Sequence, residues 1–206
     1  MKINTIILLL LFASCNNNNK VNSGDINSKI LDSVIVYYKN KEYEKCIQES
    51  RGGIMIYPND DELWQFLGAS YIELKKDSLA KNALYKSLTI NPKNERAMIN
   101  LGRAFDTEDS FEKAKTYYED AIKINPGMYQ IYSNFATNRL LSGDYKSAIE
   151  YGQKAYKLGF MTSDEAMLCL AYYKYGMYKE SDSLYDDLKS LNYKNINDLK
   201  ECLHKK

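Results

Sequence analysis

The chain has 206 residues with 28 Lys+Arg against 27 Asp+Glu, a balance that excludes a strong electrostatic pull toward nucleic acid or an anionic membrane surface. Hydrophobic residues make up 45% of it, including 19 Tyr, which is enough apolar surface for a core, and three Pro suit long helices better than a turn-rich β protein. One His leaves no basis for a His-based triad or a His-based metal site.

The first 14 residues stand apart from the rest. Lys2 precedes the apolar run Ile6 to Phe12, which is too short to span a bilayer, since a spanning helix takes about 20 residues. The segment 1–14 reads as a secretory signal with small residues at its end. Phe12-Ala13-Ser14-Cys15 resembles a bacterial lipobox. That resemblance implies cleavage before Cys15, a diacylglyceryl group on its thiol and an acyl chain such as palmitate on its freed amine. Several chains make a stable anchor where one binds marginally, at about 0.8 kcal/mol per buried CH₂. Loss of Lys2 with the signal leaves 27 side chains of each sign. Asn16 follows Cys15 where enteric inner-membrane lipoproteins carry Asp, which implies the outer membrane facing the periplasm, within a bacterial cell envelope. Residues 15–26 read as a polar tether.

From residue 27 the chain repeats itself. Ile56-Tyr57-Pro58, Ile90-Asn91-Pro92, Ile124-Asn125-Pro126 and Leu158-Gly159-Phe160 follow one another at a period of 34 residues. A fixed period of this size marks a stacked-repeat architecture. The rows are 27–60, 61–94, 95–128, 129–161 and 162–194. In row 61–94, Trp64, Leu67, Gly68 and Tyr71 form one helical face, Ala80, Leu84 and Ser87 a second, and Pro92 closes the row. Row 95–128 has Met98, Leu101, Gly102, Phe105, Ala114, Tyr118, Ala121 and Pro126 in the same places. Row 129–161 departs by placing Arg139 where the others have an aromatic residue. Cys46 and Cys169 fall at small-residue packing places and Cys202 in the tail, with no metal-ligand spacing among them. Gly143 and Asp144 read as the end of one helix and the cap of the next. Residues 195–206 predict a capping helix started at Asn197, with Ile196, Leu199 and Leu203 as its apolar stripe.

Row 61–94 resembles the tetratricopeptide repeat (TPR) signature W-x₂-L-G-x₂-Y…A-x₃-F…P, and the likeness extends in phase over residues 27 to about 195. It implies an all-α fold, a right-handed α-solenoid of about five helical hairpins plus the C-terminal capping helix. Each hairpin alone cannot bury its apolar face, so stability comes from neighbour interfaces.

No Walker loop, GxGxxG or HExxH occurs, and the expectation is a non-enzymatic chain without catalytic residues, metal, cofactor or small-molecule substrate. Such stacks offer a concave groove lined by the first helix of each hairpin. On the helical wheel Glu62, Gln65, Ala69, Ile72, Glu73, Arg96, Ile99, Asn100, Arg103, Asp106, Gln130, Ser133, Asn134, Thr137 and Leu140 turn toward it, with Leu31, Ile35, Tyr38, Leu170 and Tyr173 at the ends. Arg96, Asn100 and Arg103 share one face within about 10.5 Å of helix axis, and two of the four Arg in the chain are among them. Arg suits carboxylates, and the amides of Asn100, Asn134, Gln65 and Gln130 suit a peptide backbone. The expected occupant is an extended or C-terminal peptide of a protein partner. The alternative at these positions is a solvated groove in which Glu73 and Asp106 neutralise both Arg. Leu31 and Ile35 stand where the family's carboxylate clamp needs Lys and Asn, so that clamp is not implied.

Two functional readings follow. One is a lipid-anchored adaptor or scaffold of the cell envelope that holds a partner in its groove. The other is a structural or assembly subunit of an envelope complex that works through its convex surface, similar in architecture to repeat lipoproteins of outer-membrane barrel assembly or pilus secretion.

Overall fold

The computed structural model describes residues 23–159 and 162–204. The signal 1–14, Cys15, the tether as far as residue 22, and Phe160 lie outside the described residues. Among the described residues there are eleven α-helices and no strand. They form five hairpins, α1 (Ser23–Lys39) with α2 (Tyr43–Ile56), α3 (Asp61–Glu73) with α4 (Asp77–Ile90), α5 (Glu95–Asp106) with α6 (Phe111–Ile124), α7 (Tyr129–Leu141) with α8 (Tyr145–Leu158), and α9 (Thr162–Tyr175) with α10 (Tyr178–Ser190). The terminal helix α11 spans Ile196–His204.

Helix α1 starts at Ser23, so the tether expected to run to residue 26 is shorter by a turn. Ile26 packs against the first apolar cluster, and that contact draws the extra turn into the helix. Helix α11 starts at Ile196, which puts Asn197 inside the first turn rather than at the cap. Leu199 and Leu203 are nonetheless buried against Cys169 and Leu188, as the apolar stripe requires.

The helix ends have local causes. Asp60, Asn94 and Asp144 each accept a hydrogen bond from the backbone N–H three residues on, at 3.0, 2.9 and 3.2 Å. Helices α2, α4 and α6 stop two residues before Pro58, Pro92 and Pro126, because the residue preceding Pro is pushed out of the helical region. The turn inside each hairpin places one residue in the left-handed region, in order Lys41, Lys75, Asp109, Gly143 and Gly176.

Within a hairpin the two backbones meet at a residue too small to separate them. A Cβ on Gly68 would stand 2.5 Å from Leu84 Cγ, and one on Gly102 would stand 2.6 Å from the Tyr118 ring. In the first and last hairpins Cys takes part in the same crossing. Cys46 Sγ donates to Val34 O at 3.6 Å and Cys169 Sγ to Ser181 O at 3.3 Å, the partners in each case being 12 positions apart. Cys46 and Cys169 are fully buried and free, which fits packing roles. The signature face of the first helices is buried, with Leu67, Met98, Leu101, Tyr132 and Phe135 at most 9% exposed, and the preceding position joins it. Leu63, Ala97 and Ile131 are fully buried, whereas Trp64 is half-buried and gives its indole N–H to Pro58 O at 2.9 Å. Long helical side chains lean toward the N-terminus, so a neighbour's surface is shared by adjacent positions.

Contacts decide the curvature. The backbones of first helices in successive hairpins lie close, α1 on α3, α3 on α5, α5 on α7 and α7 on α9, whereas successive second helices stand farther apart, α4 and α6 meeting through the Tyr85 and Tyr117 hydroxyls at 3.4 Å. The stack therefore bends with α1, α3, α5, α7 and α9 on the inside. No helix of the described residues is long and apolar enough to cross a membrane.

Candidate functional site

The inner side opens into a groove of about 690 Å³ that runs over four first helices. From α1 come Ile35, Tyr38 and Lys39, from α3 Gln65 and Phe66, from α5 Arg96, Ile99, Asn100 and Arg103. Gln130 and Asn134 of α7, with Met128 just before it, close the far end. All six residues expected at a partner groove from the sequence, Gln65, Arg96, Asn100, Arg103, Gln130 and Asn134, line this one cavity. The 34-residue period causes the convergence, because it returns the same helical face to the same side in each hairpin.

The groove is less solvated than the wheel suggests. Gln65 is 4% exposed and Asn100 8%, and Ala69, Ile72 and Ile99 are buried. Touching first helices cover one another's flanks, which a wheel drawn for one helix does not register. Ser133 turns sideways and donates to Asp164, and Leu140 packs on the fourth hairpin's core. Thr137 stays exposed and bonds back to Ser133 O. Asp106 also leaves the groove. Its carboxylate accepts from Tyr118 Oη at 2.6 Å and Asn138 Nδ2 at 2.5 Å, so it joins the third and fourth hairpins and does not neutralise an Arg by direct pairing.

Arg103 is held from three sides. Its Nη2 lies 2.7 Å from Glu73 Oε1, its Nη1 donates to Asn100 Oδ1 at 3.3 Å, and the Tyr38 phenol stands beside it. Burial, then the Glu73 carboxylate, push the Tyr38 phenol above its ordinary range against the opposing pull of Arg103. Burial disfavours the Arg103 charge, but Glu73 and Tyr38 more than offset it, and the guanidinium is held more firmly protonated than usual. The neutralised Arg of the sequence alternative is therefore Arg103, paired with Glu73. Arg96 is exposed and has no ion pair among the described residues. Asn134 Nδ2 donates to Gln130 O of its own helix at 2.7 Å, leaving its carbonyl oxygen as the outward acceptor.

Lys39, Phe66 and Met128 were missed by the sequence reading. Phe66 lies at the sixth place of its row, one the wheel turns inward, so a stricter reading finds it. Lys39 and Met128 sit at a helix end and in a connection, where helical phase carries no signal. Among the described residues no group of three or more His, Cys, Asp and Glu is placed to hold a metal ion.

Hairpins stacked by their inner helices, with an amide-lined channel, define an all-α helical-repeat scaffold of the kind built for protein interaction. Residues 61–94 and 95–128 match the tetratricopeptide repeat family, and the solenoid of hairpins around them is TPR-like. The peroxisomal targeting signal receptor of Candida glabrata is 24% identical over 139 residues, 68% of this chain, which spans 23% of that relative's length. A thermophilic TPR protein of Thermus thermophilus superposes with a TM-score of 0.74 at 16% identity, over 86% of this chain and 98% of the other. PilF of Pseudomonas aeruginosa does so with 0.70 at 19% identity, over 79% and 75%. These structural likenesses speak for the fold.

Proposed function

We propose that this chain is a non-enzymatic adaptor of the bacterial cell envelope, anchored by lipid on Cys15 and holding an extended segment of a partner protein in the inner groove. The observation behind the binding reading is the convergence of Gln65, Arg96, Asn100, Gln130 and Asn134 on one channel crossing four helices. Side-chain amides at successive helices, about 8–10 Å apart, match the repeat of an extended backbone every three residues at ~3.3 Å each. The TPR architecture supports a protein partner, and the likeness to a peroxisomal targeting signal receptor fits segment recognition.

Cross-linking in cells followed by mass spectrometry tests this reading. Arg96→Glu combined with Asn134→Ala should remove a partner that the parent protein captures through first-helix positions. Arg103 is left intact because its tie to Glu73 is structural. Retention of every cross-linked partner by that variant would count against the groove. Membrane fractionation tests the anchor, since Cys15→Ser should move the protein to the soluble fraction.

A second reading, an assembly subunit using the convex face, is favoured by one observation. The second helices carry exposed Leu79, Tyr85, Tyr156 and Tyr178, and a cavity of about 640 Å³ opens near Gln153, Lys157 and Lys179 of α8 and α10. Cross-links confined to those helices would select it.

A further inference from the structure

The groove has a one-sided charge. Lys39, Arg96 and Arg103 line it and Glu73 balances only the last of them, in a chain whose formal net charge is +1. The charge of Arg103 is already balanced, because its guanidinium pairs with Glu73 at 2.7 Å and gives another N–H to Asn100. Arg96 differs. It is exposed in the first turn of α5, and Glu62 feels its field without an ion pair between them. Phe66, one hairpin away, and Ile35 and Tyr38, two away, form an apolar wall, with the Tyr38 and Phe66 rings edge to face at 5.7 Å. Adjacent first helices lie about 8–10 Å apart, a span of roughly three extended residues.

Resting on the reading of this groove as a peptide channel, we propose what it selects. The occupant is an extended segment with an acidic residue opposite Arg96 and an apolar side chain about three residues away, seated on Phe66 at the near edge of that wall. Lys39 adds long-range attraction. Arg103 is a positioning residue, which fixes the Asn100 amide by holding its oxygen so that the NH₂ group is left to face a ligand carbonyl.

The test uses pooled random octapeptides with one fixed Leu and, three positions away, a fixed Glu, Gln or Lys. The full-length protein captures each pool at low ionic strength, with mass spectrometry as readout and fluorescence anisotropy of the retained peptides for affinity. An exposed charge pair supports about a fivefold preference, so the Glu pool should exceed the Gln pool by that factor and the Lys pool should fall below both. Arg96→Gln should bring the Glu-over-Gln ratio close to one. Arg103→Gln should weaken all three pools alike and keep the ratio. Equal capture of Glu and Lys pools, or a ratio that survives Arg96→Gln, overturns the charge selection while the channel reading stands. A ratio altered by Arg103→Gln overturns its positioning role. Capture of no pool also overturns the selection, and the cellular cross-linking, which assumes no peptide sequence, then decides the channel reading separately.

Discussion

Single positions show how the repeat tolerates an unusual residue. Arg139 occupies the place that holds Tyr or Phe elsewhere, yet it is buried. Its guanidinium lies 5.5 Å from the Phe135 ring centroid, Nε donates to Asn138 Oδ1 at 2.7 Å, and Nη2 donates to Phe111 O at 3.3 Å. It fills an aromatic slot as a flat group and satisfies a buried amide besides. Its ion pair with Glu112 is secondary, because the Glu112 side chain is 76% exposed. Arg139→Leu should therefore cost about 2–3 kcal/mol, by stranding the buried Asn138 amide, whereas Glu112→Gln should cost less than about 1 kcal/mol. Urea unfolding of the two variants separates the contributions, and equal losses would restore the ion pair as the main term. Gly102 makes the complementary case. Tyr118, the ring a Cβ would strike, is fully buried and tied to Asp106 at 2.6 Å, so it cannot swing aside. Gly102→Ala should destabilise by about 1–3 kcal/mol. At Gly127 the nearest atom to a Cβ is 3.8 Å away, and the same change there should stay within about 0.5 kcal/mol on the same urea curves.

At the scale of helices and turns, much was legible in the sequence because the 34-residue period repeats the evidence. Gly68, Gly102 and the run Ala80, Ala114, Ala148 are short for one reason, backbone approach, and each row restates it. Starts of helices were readable where Asp or Asn could cap, as at Asp144, and ends where Pro intervened. What escaped were features set by the neighbouring hairpin. Asp106 turned to Asn138 and Ser133 to Asp164, each pair about one repeat apart and beyond the reach of a single-helix wheel, whereas the Glu73–Arg103 pair stood among the alternatives the sequence offered. The left-handed turn residue also escaped, since only Gly143 and Gly176 advertise it while Lys41, Lys75 and Asp109 adopt φ of 60°, 56° and 54°. A Lys in that conformation carries steric strain that Gly lacks, partly balanced by the greater freedom Gly has when unfolded. Lys75→Gly should stabilise by about 0.5–1 kcal/mol, and Gly143→Ala should destabilise by about 1 kcal/mol. Asp109→Gly should gain less, because Asp enters this region more readily than Lys. Calorimetric midpoints that ranked the three variants otherwise would remove turn strain as the explanation.

Over the whole molecule, stability resides in joints between neighbours, with apolar clusters in series along the stack and not one central core. The joints share a design, a carboxylate of one hairpin accepting from a donor of its neighbour on either side. Asp60 accepts from Asn27 at 2.8 Å, Asp61 from Asn94 at 2.8 Å, Glu73 from Arg103 at 2.7 Å and Asp106 from Asn138 at 2.5 Å. Asp164 accepts from Ser133. Carboxylates placed in joints make the stack sensitive to pH, and the direction follows from their shifts. Burial pushes Asp106 up despite its hydrogen bonds and the nearby Arg139 and Arg103, pushes Asp164 up, and pushes Glu165 up with help from Asp187. Asp164 and Glu165 each also keep a buried oxygen without a hydrogen-bond partner. A carboxyl raised on folding favours the folded state when protonated. Its contribution is complete below the unfolded value near about 4 and is lost as pH rises through the higher folded value. Asp144 opposes this. Its capping bonds to Ser147 outweigh burial and lower its value, so its contribution disappears only in acid below its ordinary range. Between neutral pH and about pH 5 the raised group prevails, and the thermal midpoint should climb as the solution is acidified. Asp164→Asn with Glu165→Gln should flatten that climb by removing two of the titrating groups at one joint. A midpoint that instead fell steadily from neutral pH to about pH 5 in circular dichroism would show that the joints favour their ionised carboxylates, and that the hydrogen bonds across them outweigh burial.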